Sequence, residues 1–286
     1  MIMNWVDIIS RTICYIESNI FEDIKINDIA KEIYISPLYL QKGFSIMCGY
    51  TISEYIRNRR LSLAAVDLIN TDEKVIDIAL KYSYDSPDSF TKAFTRFHGS
   101  TPISVRKDGA TIKEFAPLKI NIDLKGGYTM EYRIEEKESF KVVGVSRKFK
   151  YENAYEEVPK LWKEFNMSGN KDICPMYGVN YDETMECDEF TYMICDNYKE
   201  DMKIPENCVV KEIPKFTWAI FPCYGPSYKS MQELNEKIFK EWLPNSNDFE
   251  IAGGYNIEMY TDPSKYENGI MDEKYYAEVW VPIKKK

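Results

Sequence analysis

Histidine is almost missing from this chain: 286 residues contain one, His98. A Ser-His-Asp or Cys-His mechanism would have to run through it, and nothing nearby in the sequence completes such a set. The plainer reading is a residue at the C-terminal end of a helix, close to a phosphate. Paired cysteines are missing as well. The seven cysteines (14, 48, 174, 187, 195, 208 and 223) are scattered, odd in number and form no Cys-x-x-Cys pair. That spacing speaks against a disulfide framework and against a metal site, and for reduced thiols in a cytosolic protein. No apolar run approaches the roughly 18–20 residues of a membrane span. Asp7, Arg11 and Glu17 interrupt the apolar pattern of the N-terminus, which reads as a helix and not as a secretion signal. The expectation is a cytoplasmic protein of two domains, with no membrane contact, no cofactor and no metal.

An excess of positive charge is also lacking, since the formal net charge is −9. The charge is unevenly spread. Residues 1–108 hold 13 Lys+Arg against 14 Asp+Glu, whereas residues 109–286 hold 24 against 32. Within the first part, residues 36–62 carry Lys42, Arg57, Arg59 and Arg60 against Glu54, and residues 87–107 carry Lys92, Arg96, Arg106 and Lys107 against Asp88. Two basic segments therefore stand out of a neutral background, and local placement governs affinity for phosphates.

Those segments belong to a repeated motif. Asp77-Ile78-Ala79 opens a short helix, and a polar turn follows. Ser86 can cap a second helix whose first position is Pro87. That helix has Phe90, Phe94 and Phe97 at buried spacing and presents Ser89, Lys92 and Arg96 outward. Upstream, Asp28-Ile29-Ala30 matches Asp77-Ile78-Ala79 at an offset of 49, and Leu40, Phe44, Gly49 and Thr51 match Phe90, Phe94, Gly99 and Thr101 at an offset of 50. The slip falls in the turn, where an inserted residue does least harm. Two helix-turn-helix units in tandem are expected, joined by a long helix from Thr51 to Asn70 with Ile52, Ile56, Leu61, Ala64, Ala65, Leu68 and Ile69 inward. Ahead of them, Trp5, Ile9, Ile13, Ile16 and Ile20 predict a first helix over residues 3–19, and Asn27 is the expected cap of the next.

In these residues the chain resembles the AraC-type family of bacterial transcription regulators. The resemblance spans residues 5–107 and implies sequence-specific binding of double-stranded DNA, with RNA polymerase as a further partner. Matching positions imply Leu38, Gln41 and Lys42 on the first recognition helix and Asp88, Ser89, Lys92 and Arg96 on the second. Gln41 would read adenine, and Lys42 or Lys92 guanine or phosphate. Asp88 has two readings, an acceptor for a cytosine amino group or a favourable charge at a helix N-terminus. Arg57, Arg59 and Arg60 are phosphate or structural groups. Ser83 departs from the family pattern, which has Gly in that turn.

Residues 109–129 read as a linker or as an edge strand of the next domain, bracketed by Asp108-Gly109 and Gly126-Gly127. From Met130 onward the pattern is strand, strand, helix, strand, strand, and it repeats. Phe140–Val145 matches Phe216–Phe221 at an offset of 76, and Leu161–Phe165 matches Ile238–Trp242 at an offset of 77. Further strands are expected near Tyr177–Tyr181, Phe190–Asp196, Tyr255–Tyr260 and Tyr275–Ile283. The second domain, residues 130–286, is thus an α+β fold: a duplicated antiparallel sheet with helices on one side. It resembles the GyrI-like, multidrug-regulator type of effector-binding domain.

Alternation along Tyr275–Ile283 puts Tyr276, Glu278 and Trp280 on one strand face. A carboxylate between aromatics suits a lipophilic cation through charge pairing and cation–π contact, and the resemblance implies a functional Glu at position 278. An exposed Glu on a wet sheet face is the bland alternative. Phe190 and Tyr192 fall at matching positions at an offset of 86, and with Trp162 and Trp218 they complete the expected lining. Three functions for this domain remain open at this point: a sensor of a small, hydrophobic, cationic and aromatic effector, a small hydrolase using a Glu with a Tyr, and a protein-interaction module. Fusion to a DNA-binding domain favours the sensor and a non-enzymatic protein.

Overall fold

The computed structural model describes residues 5–107, 111–120, 129–168, 173–182, 189–246 and 248–286. The glycine brackets of the expected linker, and Cys187, lie outside the described residues. The first region is helical: α1 (Trp5–Ser18), α2 (Ile26–Glu32), α3 (Pro37–Cys48), α4 (Ile52–Asn70), α5 (Val75–Lys81), α6 (Pro87–His98) and α7 (Pro102–Val105). The pairs α2/α3 and α5/α6 are the two helix-turn-helix units, and α4 joins them. Trp5, Ile9, Ile13, Ile16 and Ile20 are all buried, as their spacing predicts. Thr51 and Glu54 close a reciprocal capping box at the start of α4. Ser86 caps α6 by accepting from the Ser89 amide. Two details differ from expectation. Asn27 lies inside α2, buried, while the cap position is Lys25. Ile69 is 49% exposed, while its neighbour Leu68 packs the last turn of α4 on the second unit.

Ser83 adopts φ 61° and Tyr34, its counterpart in the first unit, φ 56°. Both turns therefore use the left-handed conformation that favours glycine, without a glycine. Tyr34 is 90% exposed, so its side chain returns little packing. Tyr34→Gly is expected to stabilise the chain by up to about 1 kcal/mol, read as a rise in the urea midpoint. A lower midpoint would mean that the ring has a role in the native turn.

Beyond α7, residues 111–120 run as an extended strap along α4. The Lys113 amide donates to His98 Nδ1, the Phe115 amide to Ser62 Oγ and the Leu118 amide to the Tyr55 hydroxyl. Phe115 stacks edge-on against Tyr50 and Tyr55.

The second region contains β1 (Arg133–Lys137), β2 (Phe140–Lys150), α8 (Ala154–Met167), β3 (Tyr177–Tyr181), β4 (Glu189–Asn197), β5 (Val209–Ile213), β6 (Phe216–Tyr224), α9 (Ser227–Lys237), a π-helical turn (Ile238–Trp242), α10 (Leu243–Asn245), β7 (Phe249–Ile251), β8 (Tyr255–Tyr260) and β9 (Tyr276–Lys285). All nine strands form one antiparallel sheet in the order β1-β6-β9-β8-β3-β4-β2-β5, with β7 added beside β9. The duplication is present, with its first strands exchanged: β1 pairs with β6 of the second repeat, and β5 returns to β2 of the first. Since β1 and β2 are joined by two residues, and β5 and β6 likewise, strands far apart in the order must meet at that end. The sheet is therefore curled. Its inner face encloses Trp218, Ile220, Trp280, Tyr177, Val179 and Met193. Its outer face carries α8 on one half and α9 with the π turn on the other.

The two regions share one apolar core. Helices α1 to α4 contribute Trp5, Ile9, Tyr39 and Phe44 to a cluster that continues into Phe239, Trp242, Leu243 and Val281.

Candidate functional site

The two recognition helices have different surroundings. On α6 the side chains of Asp88, Ser89, Lys92 and Arg96 are all exposed, and Phe90 and Phe94 anchor the helix from beneath. On α3 the corresponding face is covered by the second region. Leu38 is 5% exposed and sits among Phe149, Tyr151, Leu161, Phe165, Phe190 and Tyr192 under α8. Gln41 is 6% exposed, and its Nε2 meets no partner among the described residues, as is true of the Ser36 hydroxyl that begins α3. Lys42 donates to Asn256 Oδ1 at 2.8 Å and lies 5.8 Å from the centre of the Phe239 ring. Burial pushes its ammonium down to about 8, against the opposing pull of Glu258. Tyr39 donates to the Tyr255 carbonyl at 2.7 Å. The outward readings of Leu38, Gln41 and Lys42 are thus corrected for this arrangement: tertiary packing, invisible to local periodicity, buries the first two and half-buries Lys42.

Two of the three arginines of α4 are structural, and Arg57 is exposed. Arg59 Nε and Nη2 donate to the two carboxylate oxygens of Glu17 at 2.8 and 2.9 Å, and its Nη1 donates to the Phe115 carbonyl. Arg60 closes the chain after α1 by donating to the carbonyls of Ile20 and Glu22. His98 is a buried core residue, not a phosphate neighbour. Its Nδ1 accepts from the Lys113 amide, which leaves Nε2 to donate to the Leu61 carbonyl at 3.0 Å. Burial, with Lys113 nearby, lowers its pKa and keeps it neutral.

In the sheet, Tyr276, Glu278, Trp280 and Trp218 share the inner face. Glu278 is buried and already neutralised: Arg133 Nη1 donates to it at 2.8 Å, Trp280 Nε1 at 2.6 Å, and the Tyr276 hydroxyl donates as well. Burial raises the carboxyl pKa, but the hydrogen bonds from Arg133, Tyr276 and Trp280 outweigh it and hold the group below its ordinary value. Lys137 lies 4.9 Å from the centre of the Trp280 ring. Phe190, Tyr192 and Trp162 are on the outer face, under or in α8, and so do not line one pocket with Glu278. The helix-side residues of β9 are Ala277, Val279 and Val281, which puts the true offset from β4 at an odd number; a slip of one residue exchanges the faces of a strand.

The outer face has its own carboxylate, which the sequence reading missed. Glu258 projects from β8 between the two helix-bearing halves. Its Oε2 accepts from Tyr260 at 2.9 Å and from Tyr192 at 3.2 Å. Trp162 Nε1 donates in turn to the Tyr192 hydroxyl at 2.8 Å, and the Trp162 and Tyr260 rings meet edge-on at 5.4 Å. Among the described residues no cation stands within ion-pair distance of Glu258. Gly178, opposite it on β3, makes the arrangement possible: a Cβ there would fall 2.2 Å from the Tyr192 hydroxyl. Trp162 and Phe239 are equivalent in the two repeats: Trp162 holds Tyr192 beside Glu258, and Phe239 lies against Tyr39 and Lys42 of α3. Asn256, Glu258 and Tyr260 alternate along one face of β8, a signal that also fits a wet surface.

Residues 133–283 match the family described as integron-associated effector binding protein, and residues 29–108 match a helix-turn-helix domain. The chain is 30% identical over 192 residues to the right origin-binding protein of Escherichia coli K12, covering 62% of this chain and 63% of that protein. It therefore spans less than two thirds of that relative's length. It is 38% identical over 104 residues to regulatory protein SoxS of Salmonella typhimurium, covering 36% of this chain and 97% of SoxS. Among solved structures, SAV2435 bound to tetraphenylphosphonium is similar at 20% identity with a TM-score of 0.46, covering 54% of this chain and 94% of that one.

Proposed function

Because the chain belongs to the integron-associated effector-binding protein family and carries an AraC-type helix-turn-helix region, we propose that it is a cytoplasmic transcription regulator. It reads double-stranded DNA with its helical region and senses a hydrophobic organic cation with its sheet. The names of its relatives support a regulator over an enzyme. Among the described residues no helix is long and apolar enough to cross a membrane.

The DNA reading rests on the tandem units and on the exposed face of α6. Lys92→Ala is expected to weaken binding to a selected operator about tenfold, within the roughly 1–3 kcal/mol that a good base contact is worth. Footprints unchanged in the double variant Gln41→Ala/Lys92→Ala would remove the assignment of the reading residues.

The ligand reading rests on one observation: Glu258 holds a carboxylate without a salt bridge among the described residues, walled by Trp162, Tyr192 and Tyr260. Rings present a negative face to a cation and apolar area to its substituents, while the carboxylate supplies the counter-charge. Glu278, which the family resemblance favours, has Arg133 as its cation. Tetraphenylphosphonium and the neutral triphenylphosphine oxide provide a matched pair of probes. Glu258→Gln is expected to weaken the cation about tenfold or more by calorimetry and to leave the neutral probe within about twofold; equal losses for both would exclude the counter-charge role.

A further inference from the structure

The tandem repeat contains its own control. Equivalent faces of α3 and α6 differ in one respect: the second is open to solvent and the first is closed against the sheet region. The closure is not what an optimised permanent interface looks like. Such interfaces satisfy their buried polar groups, since a lost partner costs roughly 1–3 kcal/mol. Here Gln41 Nε2 and Ser36 Oγ are buried without partners among the described residues. The Lys42 ammonium is partly desolvated, with Asn256 as its hydrogen-bond partner and Glu258 as the nearby opposing charge. Only Leu38, Tyr39 and the stem of Lys42 fit their surroundings well, on the α8 cluster and on Phe239. The polar side chains of α3 are suited to another partner.

The position of α3 identifies what would displace it. Lys42 bonds to Asn256, two residues from Glu258 and on the same face of β8. Leu38 touches the cluster that contains Tyr192, the residue that holds Glu258. The first recognition helix therefore lies over the face of β8 that carries Glu258 and brings a cation toward it.

We propose that α3 is a built-in occupant of the effector cleft, so that an organic cation entering beside Glu258 displaces Lys42, releases the helix and exposes Leu38, Gln41 and Lys42 to a major groove. This rests on the reading of Glu258 as the ligand carboxylate. Cation and DNA then select the same open state, and linkage requires each to raise the affinity of the other by the same factor.

The test uses the full chain with Gln41→Cys, following modification of that thiol by mass spectrometry at peptide resolution. The exposed Cys14 serves as the internal reference for an open thiol. In the unliganded protein Cys at position 41 is expected to react at least tenfold more slowly than Cys14. Phe239→Ala, which removes a contact of α3 without touching Glu258, is expected to speed its reaction several-fold. Tyr39→Phe, which drops the hydroxyl's bonds to the Tyr255 carbonyl and Asn256, gives a second and milder opening if Phe239→Ala unfolds in thermal melts. Saturating tetraphenylphosphonium is expected to speed the reaction at least fivefold, and Glu258→Gln to abolish that effect while keeping the effect of Phe239→Ala. Reaction as fast as that of Cys14 without ligand overturns the cover. Calorimetric binding that depends on Glu258 but leaves the reaction rate unchanged overturns the displacement and spares the ligand site. Absence of binding removes both the ligand reading and the trigger, whatever the interface variants do.

Discussion

Exchange of Arg59 for lysine is expected to destabilise the helical region by about 3 kcal/mol, nearly as much as exchange for alanine. The guanidinium meets both oxygens of Glu17 in a fork, while its remaining nitrogen donates to the Phe115 carbonyl of the strap. A lysine ammonium supplies one point charge and cannot make that fork. Its loss also strands the Glu17 carboxylate beside the Tyr55 hydroxyl, which donates to it at 2.7 Å. Burial alone would raise the Glu17 carboxyl, yet the bonds from Arg59 and Tyr55 lower it. Because α1, α4 and the strap all meet at this side chain, the effect should appear as a lower urea midpoint. It should also appear as faster exchange of the Phe115 and Leu118 amides. A loss below about 1 kcal/mol would place Arg59 among ordinary surface pairs.

Replacement of Arg133 by methionine should cost the sheet region about 2 kcal/mol at neutral pH, and less in acid. The side chain of Arg133 is 48% exposed and that of Glu278 is 4% exposed, so water can replace part of the lost partner but cannot reach the carboxylate freely. The folded pKa of Glu278 lies below its ordinary value. Its contribution is therefore complete above the ordinary glutamate range and is lost as pH falls through the depressed folded value. Without Arg133, burial dominates and the carboxyl titrates higher, so the variant takes up a proton where the native protein does not. The difference between the two proteins should narrow as pH drops from 7 toward 4 in urea unfolding. A difference independent of pH would mean that Arg133 acts through its aliphatic stem. Glu258→Gln offers the contrast, because that carboxylate has no salt bridge among the described residues for the substitution to break.

Local patterns carried the architecture well. Four aromatic and aliphatic positions in α1 with Ile20 just beyond it, the cap at Ser86 and the duplicated strands are all short-range signals, and all have their expected places. The candidate site was less legible, for two physical reasons. Alternation places Tyr276, Glu278 and Trp280 together, but which face of β9 looks toward the helices depends on the register of distant strands. An even offset chosen on aromatic likeness put Tyr192 with the wrong partners. The second reason is that no local pattern distinguishes a helix face destined for DNA from one closed against another region. Gln41 and Lys92 are both polar residues on an outward stripe. Only the curled sheet, with Phe239 and Asn256 at its outer surface, separates their surroundings.

The exchange of β1 and β5 between the repeats bears on how the protein is made. A nascent chain that has reached β4 holds a half-sheet whose β2 and β3 edges still await β5 and β8. Unpaired edges of this kind invite association with other chains. Neither repeat can be completed alone, because β1 has no partner until β6 is synthesised. The helical region needs no strand partner from later residues and precedes the sheet region in the chain. Between its completion and the synthesis of the α8 half, and then of Phe239 and Asn256, α3 lacks the residues that cover it, so a newly made molecule passes through a stage with both recognition helices bare.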